Sequence, residues 1–212
     1  MLASSEAQVI HIIAATPWLM QTLRAAASMG WQRWCIGAGA VRSAVWEALH
    51  DRATTDVAPA GLNDVDLVYF DASELNGGCW QAAQQAAQLR LGELMPAMQW
   101  EVVNQAAVHC WYRDETGQAV PPFTNLDEAI ASWPEVVTCI GAYLDEAGAV
   151  QLVAPLGVDD LLALRVRHNP RRVGVATYLE RMQRKRWQHS WPQLTVDMPE
   201  PASHAPCLPQ NI

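Results

Sequence analysis

Phenylalanine is almost missing from this chain, with two residues against ten tryptophans. Large aromatic volume is therefore supplied by indoles, most of them packing in the core or at its edges and a few left to line a pocket. Cysteine is sparse and scattered: Cys35, Cys79, Cys110, Cys139 and Cys207 form no Cys-x-x-Cys pair. That excludes the usual structural zinc spacing, and an odd number without a secretory signal points to reduced thiols and a cytoplasmic protein. Long apolar runs are missing as well. The stretch from Val9 to Ala15 is too short to span a bilayer and carries His11, so no membrane partner is expected. The histidines, His11, His50, His109, His168, His189 and His204, show no His-Glu-x-x-His and no tight cluster, and no Gly-x-Ser-x-Gly elbow occurs. Zinc-protease and serine-hydrolase chemistry are thus without their sequence signatures.

Positive charge is the other shortage. Fourteen Lys and Arg stand against 22 Asp and Glu, for a net charge of −8, which argues against non-specific DNA binding by the whole surface. The deficit is not evenly spread. Residues 165–186 hold Arg165, Arg167, Arg171, Arg172, Arg181, Arg184, Lys185 and Arg186 against Glu180 alone, a local balance of +7. Two readings stand: a solvated helix face, or a cationic wall facing a phosphate-bearing substrate. A length of 212 residues, half of them apolar, allows one large domain, or a domain with a small appendage, around a sizeable core.

Residues 6–29 are expected to be helical with a break at Thr16-Pro17, where Thr16 fits an N-cap and Pro17 a first helical position; Gly30 is a plausible stop. Trp34-Cys35-Ile36 suits a short strand. It meets Gly37-Ala38-Gly39 and then Ala40 to His50, in which Val41, Val45 and Leu49 recur at helical spacing. The glycines therefore make a strand-to-helix turn. Such a turn lets backbone N–H groups approach a phosphate at a helix N-terminus, with Arg42 and Ser43 adding a charge and a hydroxyl; a purely structural tight turn is the alternative. It is neither a dinucleotide fingerprint nor a P-loop. Residues 51–62, with Thr54-Thr55, Pro59 and Gly61, suit a loop.

Further on, Cys79 to Leu94 has good helix propensity, and Gln99 to Asn104 suits a strand on which Glu101 alternates with apolar neighbours. Asn125 and Glu128 have capping-box spacing. Val136–Leu144 and Val150–Ala154 are expected to form a hairpin around Asp145-Glu146-Ala147-Gly148. Asp159 or Asp160 is expected to cap a helix running through Val166, and the basic segment 174–189 to be a second helix. No internal repeat is present.

The chemistry-bearing stretch is Asn63-Asp64-Val65-Asp66-Leu67-Val68-Tyr69-Phe70-Asp71, a short strand by composition. Alternation puts Asp64 and Asp66 on one face and Val65 and Leu67 on the other. Neighbouring carboxylates repel unless a cation lies between them, and two divalent ions about 3.5–4 Å apart are the usual device for moving phosphoryl groups. Taken alone, the Asp-x-Asp is equally the polar end of a strand with two solvated acids.

A glycine turn into a helix, Asp-Val-Asp on a strand and a lone acid on a later strand together resemble the DNA-polymerase-β-like nucleotidyltransferase superfamily. Within it the sequence looks like a bacterial group of nucleotidyltransferase-like proteins. The stretches that carry the likeness include Gly37–Arg42, Val45–His50, Asp64–Asp71, Trp100–Gln105, Trp133-Pro134-Glu135 and Ala154–Leu161, spread over about residues 31 to 191. The resemblance implies an α+β fold, a small mixed sheet flanked by helices with a mainly helical C-terminal part. It implies that Asp64, Asp66 and Glu101 hold Mg²⁺ or Mn²⁺ and are catalytic. It also implies that Gly37 and Gly39, helped by Arg42 or Ser43, hold the triphosphate of a nucleoside triphosphate. Two departures bear on the phosphate contacts: Ala38 stands where the superfamily has Gly or Ser, and the gap from Gly39 to Asp64 is long.

The expected organisation is one domain over residues 1–192, with a core at about 31–155 and a helical part at about 156–192, followed by a loose tail over 193–212. The expected activity is nucleotidyl transfer to an unidentified hydroxyl acceptor, with Arg165 and Arg167 as candidates for neutralising pyrophosphate. A non-catalytic nucleotide-binding or protein-interaction module on the same scaffold is the rival.

Overall fold

The computed structural model describes residues 4–52, 55–59 and 61–199. The expectations touching Thr54, His204, Cys207 and the end of the tail lie outside these. Two helices open the chain, α1 (Ser5–Ala14) and α2 (Pro17–Ala27). The Ser4 hydroxyl caps α1 by accepting from the Ala7 N–H at 3.2 Å. Pro17 starts α2, at a position where its missing N–H costs nothing. Thr16 precedes it as expected, but its hydroxyl donates back to the Ile12 carbonyl at 2.8 Å and caps nothing. Strand β1 (Trp34–Gly37) then runs directly into α3 (Ala38–Leu49).

After the loop come β2 (Val65–Tyr69), α4 (Trp80–Leu94) and β3 (Trp100–Asn104). Two short helices follow, α5 (Val108–Trp111) and α6 (Leu126–Ile130). Asn125 caps α6 by accepting from the Glu128 N–H at 2.8 Å, while the Glu128 carboxylate turns to Thr124. A hairpin of β4 (Gly141–Leu144) and β5 (Val150–Val153) completes the sheet. The C-terminal part holds α7 (Asp159–Leu162), β6 (Arg165–Val166), α8 (Val175–Lys185), α9 (Trp187–Ser190) and β7 (Thr195–Val196).

The five-stranded sheet has the order β3-β2-β1-β4-β5. β2 and β3 are parallel and the other pairs antiparallel, so the sheet is mixed. The parallel pair needs a crossover, which α4 supplies. α4 also protects the outer edge of β3: the Gln84 and Gln88 side-chain carbonyls accept from the Asn104 and Val102 N–H groups at 2.7 and 3.3 Å, so the edge is not left as an open template. One face of β2 sends Val65, Leu67 and Tyr69 into the main core, where they meet α1, α2 and α3. Leu161, Tyr178 and Trp187 belong to that same buried cluster, so the C-terminal helices close the core instead of forming a separate one. The architecture is the α+β, mixed-sheet fold that the sequence implies.

Four boundaries differ from expectation, each for a local reason. The first arm of the hairpin is shorter, because Val136–Thr138 forms a 3-10 turn. The α7 helix ends at Leu162, not Val166: Leu164 turns to φ +54 and the next two residues pair in parallel with β7. Neither Asp159 nor Asp160 caps it; the N-cap position is Val158, and the Asp160 carboxylate accepts from Arg167 at 2.6 Å. The basic helix is split at Arg186, which sits at φ +47 between α8 and α9. Finally, the expected loose tail is anchored at its start. Leu194 is buried, β7 pairs with β6, and the Tyr178 hydroxyl donates to the Asp197 carbonyl at 2.8 Å.

Packing at the start of α3 makes a direct test possible. A Cβ on Gly37 would lie 2.5 Å from Cη2 of Trp133, a distance that forces the indole to move. Gly37→Ala should lower stability by about 1–3 kcal/mol, the usual range for overpacking. Adding Trp133→Leu in the same protein should restore most of it. Urea denaturation checks this, and an unchanged midpoint for Gly37→Ala would show that the indole is free to yield.

Candidate active site

The other face of β2 builds a cleft. Asp64, Asp66 and Val68 line it from β2 and its approach, Glu101 and Val103 from β3, and Gln105 from the 3-10 turn that follows β3. These are alternate residues, as the two-residue period of a strand requires. The parallel register places Asp66 directly opposite Glu101, so the sequence-predicted carboxylates line one cavity of about 590 Å³.

Electrostatics mark the same spot. The Asp66 carboxyl is pushed up to about 6, first by burial, then by the nearby Asp64 and Glu101 charges, with Arg42 and Lys185 opposing. A carboxyl crowded by two others favours its neutral form unless positive charge arrives. Among the described residues, no three His, Cys, Asp or Glu side chains stand close enough together to hold a metal ion as they are arranged. The donor set is nonetheless all oxygen, which is what a hard divalent cation takes, and Glu101 is exposed, so its side chain has room to turn toward Asp66.

The strand-to-helix turn divides into three. Gly37, the N-cap of α3, is required by Trp133 and does not line the cleft. Ala38 adopts φ +43, a strained value for a residue with a side chain, and its N–H is held by the Ile140 carbonyl at 2.9 Å. Gly39 does line the cleft, and a side chain there would meet Leu62 and Arg42 only at ordinary contact distance. Packing therefore does not demand this glycine, whereas an open backbone beside a ligand would use it. Ser43 is buried on α3 and is not among the cleft-lining residues.

Arg42 reaches the cleft from one turn into α3. Its guanidinium lies 4.2 Å from the Trp187 ring centroid and 5.0 Å from that of Trp46. It is nearly fully buried, and its Nε has no partner. Burial lowers its pKa to about 10, offset by the Glu135, Asp66 and Asp64 charges, so it remains a cation at neutral pH. The left-handed Arg186 matters here, because the bend it makes sets Trp187 against this guanidinium. Arg186 itself does not line the cleft.

Another part of the lining is α8, which presents Arg181, Arg184 and Lys185. Arg181 is committed to Glu135, a carboxylate with 0% exposure, through Nε–Oε1 at 2.7 Å and Nη2–Oε2 at 3.3 Å. Arg165 and Arg167, expected near pyrophosphate, are elsewhere: they pair with Asp197 and Asp160 and do not line the cleft. Sequence reasoning also passed over Trp133-Pro134-Glu135, although its likeness was noted. All three residues line the cleft, and Asn169 fixes the segment by donating to the Ala131 and Trp133 carbonyls at 2.7 and 2.8 Å. A Glu set between Trp-Pro and an apolar run was the available signal, since a charge there needs a partner.

This geometry can be set beside known proteins. No curated protein sequence matches the chain. A solved structure described as an NMR structure that "reveals a CCA-adding enzyme head domain" aligns with 91% of this chain and 96% of its own, with a TM-score of 0.73 and 24% sequence identity. At that identity the likeness speaks for the fold. The sequence profile of the family described as Nucleotidyltransferase matches residues 24–196, a span that holds the turn, the carboxylates, the Trp133–Glu135 segment and α8. The chain belongs to this nucleotidyltransferase family.

Proposed function

We propose that the protein moves a nucleoside monophosphate from a nucleoside triphosphate to a hydroxyl acceptor, releasing pyrophosphate, and that it needs Mg²⁺ or Mn²⁺ to do so. One observation carries this reading: a single cleft is lined by Asp64, Asp66 and Glu101, by Gly39 and Arg42, and by Arg184 and Lys185, which form no ion pair among the described residues. Family membership and the likeness to a protein described as having a CCA-adding enzyme head domain support nucleotidyl transfer as the reaction class.

In the reaction, the acceptor oxygen bonds to the α-phosphorus as the bond to the bridging β-phosphate oxygen breaks. Asp64, Asp66 and Glu101 are the residues that hold the cation. When bound, a divalent ion there supplies charge neutralisation at the phosphoryl oxygens and acidifies the acceptor hydroxyl. Glu101, exposed at the cleft, accepts the hydroxyl proton. Arg42, held rigid between two indoles, and Lys185 face the departing pyrophosphate, where fixed positive charge gains most as negative charge develops. Gly39 leaves room for the phosphates at the start of α3.

Asp66→Asn should reduce Mg²⁺-dependent pyrophosphate release by at least a hundredfold, measured across the four nucleoside triphosphates with small-molecule, RNA and total-protein acceptors. Retained activity would remove the carboxylates from the mechanism. Replacing Arg184 and Lys185 together with Gln should raise KM for the nucleotide and flatten its salt dependence; an unmoved KM would leave that wall a solvated face.

A pH test needs no substrate. The folded pKa of Asp66, about 6, lies above its unfolded value near 3.9. The native state therefore binds the extra proton between these values, and stability from this group is present at low pH and lost as pH rises through about 6. In EDTA, Asp66→Asn should melt above the parent at pH 7.5, with the gap closing by pH 4. With Mn²⁺ at pH 7.5, the parent should gain more than the variant. Equal melting curves at both pH values would show that the carboxylates do not crowd one another.

A further inference from the structure

The cleft extends beyond the carboxylates. Glu101 and Val103 on β3 and Gln105 at the start of the turn after it line the cleft in succession, which places Gln105 roughly 13 Å past Glu101 at the usual strand rise. The wall continues through Val108 to Trp111 and Tyr112, and Arg172 and Val173 face it from the approach to α8. Nothing in the proposed chemistry uses this end.

Its composition is unusual for a surface. Trp111 is 51% exposed, one of few large apolar side chains left open. Tyr112 meets it at 79° with centroids 6.1 Å apart, edge to face, so the two rings are not stacked together. Arg172 lies against that same Tyr112 ring and against Phe123, 4.3 Å and 4.6 Å from their centroids. Among the described residues it forms no ion pair. Partial burial lowers its pKa. The position is also fixed: the Glu115 carboxylate, on the loop after Tyr112, accepts from the Gly174 N–H at 2.8 Å, which ties α5 and its loop to the start of α8.

We infer that Trp111, Tyr112 and Arg172 form a subsite that stacks a nucleobase and binds the phosphate attached to it. An open indole takes a flat ring of any base on its face. An arginine already stacked on aromatics is weakly hydrated and keeps its donors free for a phosphate oxygen. A ligand with both features is a nucleotide unit, whether the donor triphosphate or a unit of the acceptor. This inference rests on the cleft being a nucleotide site, as proposed above.

Binding measurements with Mg²⁺ present separate the two ideas. The probes are inorganic tripolyphosphate, ATP and CTP, and a short single-stranded oligonucleotide, titrated calorimetrically against the parent, Trp111→Ala, Trp111→Phe and Arg172→Gln. Trp111→Ala should weaken a base-bearing probe roughly tenfold or more, leave tripolyphosphate unchanged, and be largely rescued by Trp111→Phe. Arg172→Gln should weaken the same probe with a shallower salt dependence. Loss on ATP and CTP assigns the base of the donor; loss on the oligonucleotide assigns a nucleotide of the acceptor. If tripolyphosphate binds but Trp111→Ala changes no base-bearing probe, the subsite is wrong and the nucleotidyl-transfer reading stands. If tripolyphosphate does not bind while an oligonucleotide binds in a Trp111-dependent way, the subsite stands and the triphosphate assignment falls. A parent that binds none of the probes overturns both.

Discussion

A carboxylate sealed from solvent must be paired, and the pair that Glu135 forms with Arg181 ties the segment before β4 to α8. Removing one member of a buried ion pair leaves an uncompensated charge, at a typical cost of about 3–5 kcal/mol. That penalty makes the position of Arg181, and with it α8, far less adjustable than apolar packing alone would. Glu135 is held in turn by its own segment: its backbone bridges to His168, the Val136 N–H donates to the Arg167 carbonyl at 3.0 Å, and the Thr138 hydroxyl donates to the Glu135 carbonyl at 2.7 Å. Two residues earlier, Trp133 packs on Gly37. One short segment thus links the start of α3 to the cationic helix, both of which line the cleft.

The charges in the cleft have opposite defects. Three carboxylates share one end with too little positive charge, and Asp66 responds by holding its proton to about 6. Arg42, by contrast, is a cation taken out of water, stabilised by two indole faces and by the Glu135, Asp66 and Asp64 charges. Neither defect is relieved by the protein alone. On the proposed function, a divalent cation would relieve the first and a polyphosphate the second, and one metal-nucleotide complex would bring both. The repulsion that makes the empty cluster unfavourable is therefore also what would give it affinity for its ligand.

The sequence showed the sheet well and the cleft in part. Asp64 and Asp66 on one face of β2 and Glu101 on a later strand follow from a period of two, and the α3 stripe from a period near 3.6. Those signals are local, so they survive into the fold. Ionic partners are not local. Arg165 and Arg167 sit in a basic run and looked available, yet Asp197 and Asp160 take them. Arg172, Arg184 and Lys185, in the same run, line the cleft and form no ion pair among the described residues. Net charge over a segment cannot distinguish these cases, because the deciding acids lie elsewhere in the chain. The start of the tail differs for a related reason: among its prolines stand Leu194, which is buried, and Val196, which pairs on β7.

The turn at residues 37–39 shows how a motif can be right in place and different in its physics. A glycine-rich turn before a helix invites the reading that every glycine serves a phosphate. Here Gly37 serves Trp133, and the second position is not glycine at all. Ala38 at φ +43 is strained, and a strained residue persists only where its surroundings over-determine it. They do so here: the Ile140 carbonyl holds its N–H, and the adjoining Gly37 lies beneath the Trp133 indole. If the turn receives a phosphate, as proposed, these contacts would leave little ordering for binding to impose. That leaves Gly39 as the position whose missing side chain packing does not explain, and it is the one of the two glycines that lines the cleft beside Arg42.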